Sequence, residues 1–215
     1  MQKAISTLWQ SFILFLKEPT DGRIYLSSFQ KFKNVLGLWV IQFLLFIPIA
    51  IFISALEEWG GLDLPEHKIE DLFSELSPLQ VFFMAVVLAP IVEEFFFRTF
   101  ITLRRFYPLL LFIDAATGPK RFKRIRNSLK LWNGLFPFLI YASALLFGYV
   151  HIFNFEGEVS WWKVPLAVLP QIIMGLLLAF IRVRYGLVWS MFSHAFWNLI
   201  PTLAFLVRPD LMNAG

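Results

Sequence analysis

LQVFFMAVVLAPIVEEFFFRTF, residues 79–100, is an apolar stretch whose only charged residues are Glu93, Glu94 and Arg98. It is long enough to cross a bilayer as a helix. A charged side chain placed in hydrocarbon costs about 3 kcal/mol even on the lenient insertion scales. A chain that retains three such groups in one span is therefore expected to use them.

The composition of the whole chain indicates that its solvent is lipid. Of the 215 residues 58% are hydrophobic and only 16% are charged, which is below the quarter usual for soluble domains. The apolar runs lack the period-two alternation of barrel strands, so the spans are expected to be helices. The predicted fold class is all-α, a polytopic transmembrane helix bundle.

About five spans are predicted at roughly 20 residues each, together with a short N-terminal helix that lies in the interface or is buried. The spans are expected near residues 34–56, 79–107, 135–153, 164–183 and 187–207. The second is expected to remain helical as far as Tyr107, where Pro108 would interrupt it. The chain then divides into an N-terminal interfacial segment, a first span with an acidic loop, a bundle that carries the polar residues, and a tail: 1–33, 34–78, 79–207 and 208–215.

The charges of the loops predict an orientation in the membrane. Basic residues gather in the N-terminal segment, in the loop 114–130 and at the Arg182–Arg184 turn, whereas the loop 57–78 is acidic. Because cytoplasmic loops are enriched in Lys and Arg, we expect a cytoplasmic N-terminus, in a bacterial plasma membrane. With five spans the C-terminus would lie outside.

The same distribution bears on partners. The net charge of +4 does not indicate nucleic-acid binding, because the basic residues lie in loops between apolar segments. The expected partners are membrane lipids and no nucleic acid, while the oligomeric state is left open. The absence of cysteine excludes disulfides, thiolate metal sites and a cysteine nucleophile.

The segment EEFFFR (93–98) combines a paired and an unpaired carboxylate. Residues four apart share a helix face, so Glu94 and Arg98 can neutralise each other. Glu93 lies about 100° round the helix and has no partner in its own turn. An unpaired carboxylate in such a place is a candidate general base. The alternative is that both glutamates are structural partners of the arginine.

Two further apolar segments each carry a histidine at helical spacing. In FGYVH (147–151) the first and last residues share a face, and in HAFWN (194–198) His194 and Asn198 do so. Considered alone, each histidine could simply link helices by a hydrogen bond. Because three separate helices bring such groups, we predict that Glu93, His151, His194 and Asn198 converge on one site.

In this order the three segments resemble the EExxxR, FxxxH and HxxxN motifs of the CPBP family. Its members include Rce1-type CAAX prenyl proteases and bacteriocin-processing or immunity proteins. The similar region runs from about Leu79 to Ile200. The resemblance implies an all-helical intramembrane endopeptidase that cleaves a membrane-associated peptide or protein substrate.

The resemblance also implies roles for particular residues. The implied catalytic residues are Glu93, Glu94, Arg98, His151, His194 and Asn198. Glu93 and His151 would activate a water, and His194 and Asn198 would donate hydrogen bonds to the oxyanion. The ion pair of Glu94 and Arg98 would position these catalytic groups. Oxyanion donors in a dry site are each worth about 3 kcal/mol.

The sequence leaves the participation of a metal open. Two histidines and one glutamate form a familiar catalytic zinc set, which here would be Glu93, His151 and His194. No HExxH helix supports that assignment. Without a metal Glu93 is the base, whereas with zinc Glu93 becomes a ligand and Glu94 is the candidate base.

Two other classes of protein remain open at this point. One is a non-catalytic immunity or scaffold protein of the same fold. The other is a small proton-coupled transporter, since buried carboxylates and histidines suit proton relays, although no internal repeat of the kind seen in transporters is visible. Ser143 and Ser193 lie near the site, and we expect them to pack as small residues rather than to act as nucleophiles.

Overall fold

The computed structural model describes residues 2–64, 76–102 and 121–207. Within these ranges the chain is an all-α helical bundle, which confirms the predicted fold class. Its helices are α1 (Gln2–Lys17), α2 (Ser28–Gly60), α3 (Pro78–Arg98), α4 (Arg121–Val150), α5 (Val164–Ala167), α6 (Leu169–Arg184) and α7 (Leu187–Val207). The end of α4 continues as a 3₁₀ turn over His151–Asn154.

Four helices of the described chain are long and apolar enough to cross a membrane. They are Ser28–Gly60, Pro78–Arg98, Leu129–Asn154 and Leu187–Val207. The span predicted near 164–183 instead forms the short α5 and the 16-residue α6. At 1.5 Å per residue α6 is about 24 Å long, which is less than a typical hydrocarbon core. Most of the second half of α6 is buried, so this helix lies at the centre of the bundle.

The N-terminal helix α1 packs one face into the bundle. Its buried stripe consists of Leu8, Phe12 and Phe15, and the rings of Phe12 and Phe15 lie edge-on to Phe180 of α6 at 5.6 and 5.3 Å. On the other face Leu14 is exposed. The short N-terminal helix is therefore present, and its place at the membrane interface stays a prediction.

Helix α3 ends earlier than the sequence predicts. It stops at Arg98, and the chain turns through residues 99–102, so the prediction of a helix as far as Tyr107 is wrong. Thr99, Ile101 and Thr102 in this turn are buried. The physical reason is that neighbouring helices supply donors to the last carbonyls of α3, as described below. Tyr107 and Pro108 lie outside the described residues, as do residues 65–75 of the acidic loop and the 208–215 tail.

A π-helical segment, Phe83–Leu88, lies within α3. It ends two residues before Pro90, which has no N–H and whose ring in a regular helix clashes with the carbonyl four residues earlier. A wider turn before a proline relieves both problems. One carbonyl of the segment, that of Ala85, accepts a hydrogen bond from the side-chain amide of Asn198 at 2.9 Å. Because one extra residue rotates the following helix by about 100°, this segment determines which face of α3 carries Glu93.

The contact between α4 and α6 gives a first prediction. A Cβ added at Gly148 would lie 2.3 Å from Cγ1 of Ile172 and 3.1 Å from its backbone nitrogen. We expect Gly148→Ala to destabilise the fold by about 1–3 kcal/mol, seen as a lower thermal unfolding temperature in detergent. Gly134→Ala in the same helix is the control, since its Cβ would meet nothing within 4 Å. Equal unfolding temperatures for the two variants would contradict the close approach of these helices.

Candidate active site

The site contains a fully buried ion pair. Glu94 Oε2 lies 3.7 Å from Arg98 Nε, and both side chains have no exposed surface. Arg98 also donates through Nη2 to the carbonyl of Gly175 at 3.0 Å and through Nη1 to the carbonyl and hydroxyl of Ser143. One guanidinium therefore joins α3, α4 and α6, and its fixed fork of donors suits this role.

Glu93 lies between two imidazoles. Its Oε2 is 3.9 Å from Nε2 of His151 and 3.8 Å from Nε2 of His194. These separations are too long for direct hydrogen bonds, but one water can bridge polar atoms at such distances. The side chain of Glu93 is 29% exposed, more than that of either histidine, although Oε2, the oxygen that faces the imidazoles, is buried. The structure thus brings an acid and two imidazoles from three helices around one small volume.

The tautomer of His151 follows from its hydrogen bond. Its Nδ1 lies 2.7 Å from the carbonyl of Phe147, and a carbonyl can only accept. Nδ1 therefore carries the proton in the neutral ring, and Nε2 has a lone pair. That lone pair lies on the side of Glu93. The ring of Phe147 supports both imidazoles, at 4.8 Å from His151 and 5.5 Å from His194.

His194 lies between the two carboxylates and is almost fully buried. Its Nδ1 is 3.4 Å from Glu94 Oε1, and its Nε2 faces Glu93. A proton on Nδ1 is therefore directed at the carboxylate of Glu94. With that proton in place, Nε2 can donate only when the ring carries a second proton.

Asn198 lies one turn beyond His194 on α7. Its side-chain amide donates to the backbone carbonyl of Ala85 in the π segment, and its backbone carbonyl accepts from the hydroxyl of Thr202 at 2.7 Å. One of the two amide N–H groups is thus engaged with α3. The predicted site residues that the structure connects into one cluster are Glu93, Glu94, Arg98, His151 and His194, and Asn198 is held beside this cluster.

Two residues contribute to the site in ways that the sequence analysis missed. Ser143, expected to pack as a small residue, donates to the carbonyl of Phe97 at 2.7 Å and accepts from Arg98. Arg182, interpreted only as part of a basic turn, is buried and donates to the carbonyl of Arg98 at 3.0 Å. A polar residue within an apolar helix was the available signal for Ser143. The position of Arg182 at the end of its helix concealed its role.

The possible metal ligands can be tested by their spacing. Tetrahedral zinc with nitrogen and oxygen ligands holds its donor atoms about 3.4 Å apart. The carboxylate oxygen of Glu93 is farther than this from both imidazoles. Among the described residues no group of three His, Cys, Asp or Glu side chains is arranged to hold a metal ion. At these spacings Glu93 is too far from His151 and His194 for the zinc set that the sequence left open, and the proposed steps use this chain's own side chains.

Comparison with known proteins covers the part of the chain that carries these residues. A family model described as type II CAAX prenyl endopeptidase Rce1-like matches residues 75–200. No curated protein and no solved structure matches the chain. The matched region includes all six predicted site residues and also Ser143 and Arg182, and it leaves out α1 and α2.

Proposed function

We propose that this chain, which belongs to the Rce1-like family of type II CAAX prenyl endopeptidases, is an intramembrane endopeptidase that hydrolyses a membrane-associated peptide or protein. The family and the four membrane-length helices make it an integral membrane protein of the CAAX protease type. The observation that supports the activity most directly is the meeting of Glu93 with two imidazoles at 3.8 and 3.9 Å.

In the proposed reaction a water lies between Glu93 and His151. The lone pair of His151 Nε2 accepts a hydrogen bond from one O–H of the water and orients the oxygen, while Glu93 takes the proton of the other O–H as the oxygen attacks the scissile carbonyl. General-base assistance of this kind typically contributes about 10²- to 10⁴-fold in rate. Glu93 then returns the proton to the departing amine, so the products are a carboxylic acid and an amine.

The negative charge that develops on the carbonyl oxygen requires donors. His194 supplies Nε2–H when its ring is doubly protonated, with Nδ1–H directed at Glu94. Asn198 supplies its second amide N–H while the first remains on Ala85. A preorganised donor in a water-excluded site is worth about 10²- to 10³-fold in rate.

The buried pair Glu94–Arg98 orients the other groups. Glu94 faces Nδ1 of His194 through its Oε1 and pairs with Arg98 through its Oε2. The guanidinium is itself fixed on α4 and α6. In the proposed route Glu93 is the base and no metal takes part.

The test is a comparison of peptide termini in membranes that contain wild-type protein or Glu93→Ala. We expect new termini in membrane-associated proteins only with the wild type, and we expect a chelator such as EDTA to leave them unchanged. Both proteins must be present in the membrane in equal amounts. Equal termini in both samples would contradict the peptidase and favour a non-catalytic immunity or scaffold protein. Loss of termini on chelation, restored by zinc, would contradict the metal-free route.

A further inference from the structure

The C-terminal end of α3 lies inside the bundle. The last carbonyls of any helix lack partners within that helix, and hydrocarbon offers no water to satisfy them. At the end of α3 these carbonyls include those of Phe97 and Arg98. Thr99 and Thr102, which follow, are buried. This helix end therefore needs donors from elsewhere in the protein.

Two buried side chains supply these donors. On α4, Ser143 donates to the carbonyl of Phe97 at 2.7 Å. On α6, Arg182 donates through Nε to the carbonyl of Arg98 at 3.0 Å and through Nη2 to the hydroxyl of Thr102 at 3.1 Å. We call Ser143 and Arg182 the helix-end clamp. Both are at most 9% exposed.

The clamp acts on the residue that anchors the proposed site. Arg182 donates a hydrogen bond to the backbone carbonyl of Arg98, and the guanidinium of Arg98 donates one to the carbonyl of Gly175. Both holding groups lie on α6. Gly175 and Arg182 are about 10 Å apart along the axis of α6, at 1.5 Å per residue. Two contacts at this separation fix the end of α3 against sliding along α6 and against rotating about its own axis.

We propose that Arg182 is a positioning residue for peptide hydrolysis, which fixes the carboxylates of Glu93 and Glu94 against the two imidazoles. This inference rests on the proposed function. Arg182 is bonded to the carbonyl of Arg98, a turn away from the reacting groups, so it acts through α3. A displacement of about 1 Å in reacting groups can cost about 10²-fold in rate. The effect of the clamp should therefore fall on kcat rather than on KM.

The kinetic test uses variants at both ends of one hydrogen bond. Arg182→Ala should lower kcat about 10- to 100-fold with KM changed by less than about twofold. Arg182→Lys can reach one acceptor but not two, so it should recover part of kcat. Thr102→Val keeps the shape of the side chain and should give a smaller loss of about threefold. A loss confined to KM, or full activity in Arg182→Ala, would overturn the proposal.

Arg184→Ala is the matched control. Arg184 lies two residues further along α6, and its guanidinium binds Thr20 and Gly22 of the N-terminal segment rather than α3. We expect its kcat to stay within about twofold of the wild type. A loss as large as that of Arg182→Ala would show that removing either arginine simply damages α6, and would overturn a specific positioning role.

A measurement that needs no substrate separates this proposal from the proposed function. In hydrogen exchange of the purified protein, peptides covering residues 95–102 should exchange about tenfold faster in Arg182→Ala than in wild type. The same peptides in Arg184→Ala should be unchanged. If the wild type cleaves nothing, the proposed function fails while the exchange result still decides the clamp. Unchanged exchange in Arg182→Ala and in the milder Thr102→Val would overturn the clamp even if Glu93→Ala abolishes cleavage.

Discussion

Replacing Glu93 by glutamine is expected to lower kcat about 10³- to 10⁴-fold, the upper part of the range for general-base catalysis. Glutamine has nearly the same shape, but its amide cannot take a proton from water. The neighbouring imidazoles stay in place, because His151 is held by Phe147 and His194 faces Glu94. Substrate binding should therefore change little. The measurement is single-turnover cleavage by purified protein of a substrate identified from the membrane comparison.

Glu58→Gln is the control for this substitution. Glu58 is an exposed glutamate near the end of α2, so the same chemical change there should leave kcat within about twofold of wild type. Both variants should unfold at a temperature close to that of wild type. If Glu93→Gln retained the wild-type rate, Glu93 would not be the base, and the proposed path of the proton would be wrong.

The sequence predicted which polar groups meet because the relevant geometry is local. Glu94 and Arg98 are four residues apart, as are Phe147 and His151, and helical periodicity alone places each pair on one face. The cost of exposing these groups to lipid then requires that their faces turn inward. In a small bundle, three polar faces that turn away from lipid meet in the same interior region. The convergence on Glu93 follows from that constraint.

The end of α3 could not be predicted in the same way, because its cause is not local. The groups that satisfy its last carbonyls belong to Ser143 and Arg182, which are distant in sequence. Residues 99–102 contain no proline or glycine that would end a helix. A local pattern therefore favours continuation of the helix, while the tertiary structure determines where it ends.

The interpretation of α6 as a span has a related origin. An apolar helix can face lipid or can be surrounded by other helices, and composition alone does not distinguish the two. Pro165 and Pro170 each sit in the first turn of a helix, a position that proline favours. They divide the predicted span and leave α6 too short to cross alone. The shortened helix lies where it can hold Arg98 through Gly175.

Arg98→Met is expected to lower the free energy of unfolding by about 3–5 kcal/mol, the usual result of breaking a buried ion pair. This loss is larger than the one expected for Gly148→Ala. Methionine fills much of the volume but leaves the carboxylate of Glu94 without its cation. It also removes the donors to Ser143 and Gly175. We expect a markedly lower thermal unfolding temperature in detergent, together with loss of cleavage.

The double variant Glu94→Gln/Arg98→Met distinguishes charge from packing. Replacing a whole buried pair by neutral groups is often tolerated far better than removing one partner, so the double variant should recover at least half of the lost stability. Cleavage should stay absent in it, because the Nδ1 side of His194 then lacks a carboxylate. If the double variant were as unstable as Arg98→Met alone, the hydrogen bonds of Arg98 to α4 and α6 would be the main source of stability. The ion pair with Glu94 would then contribute little to the fold.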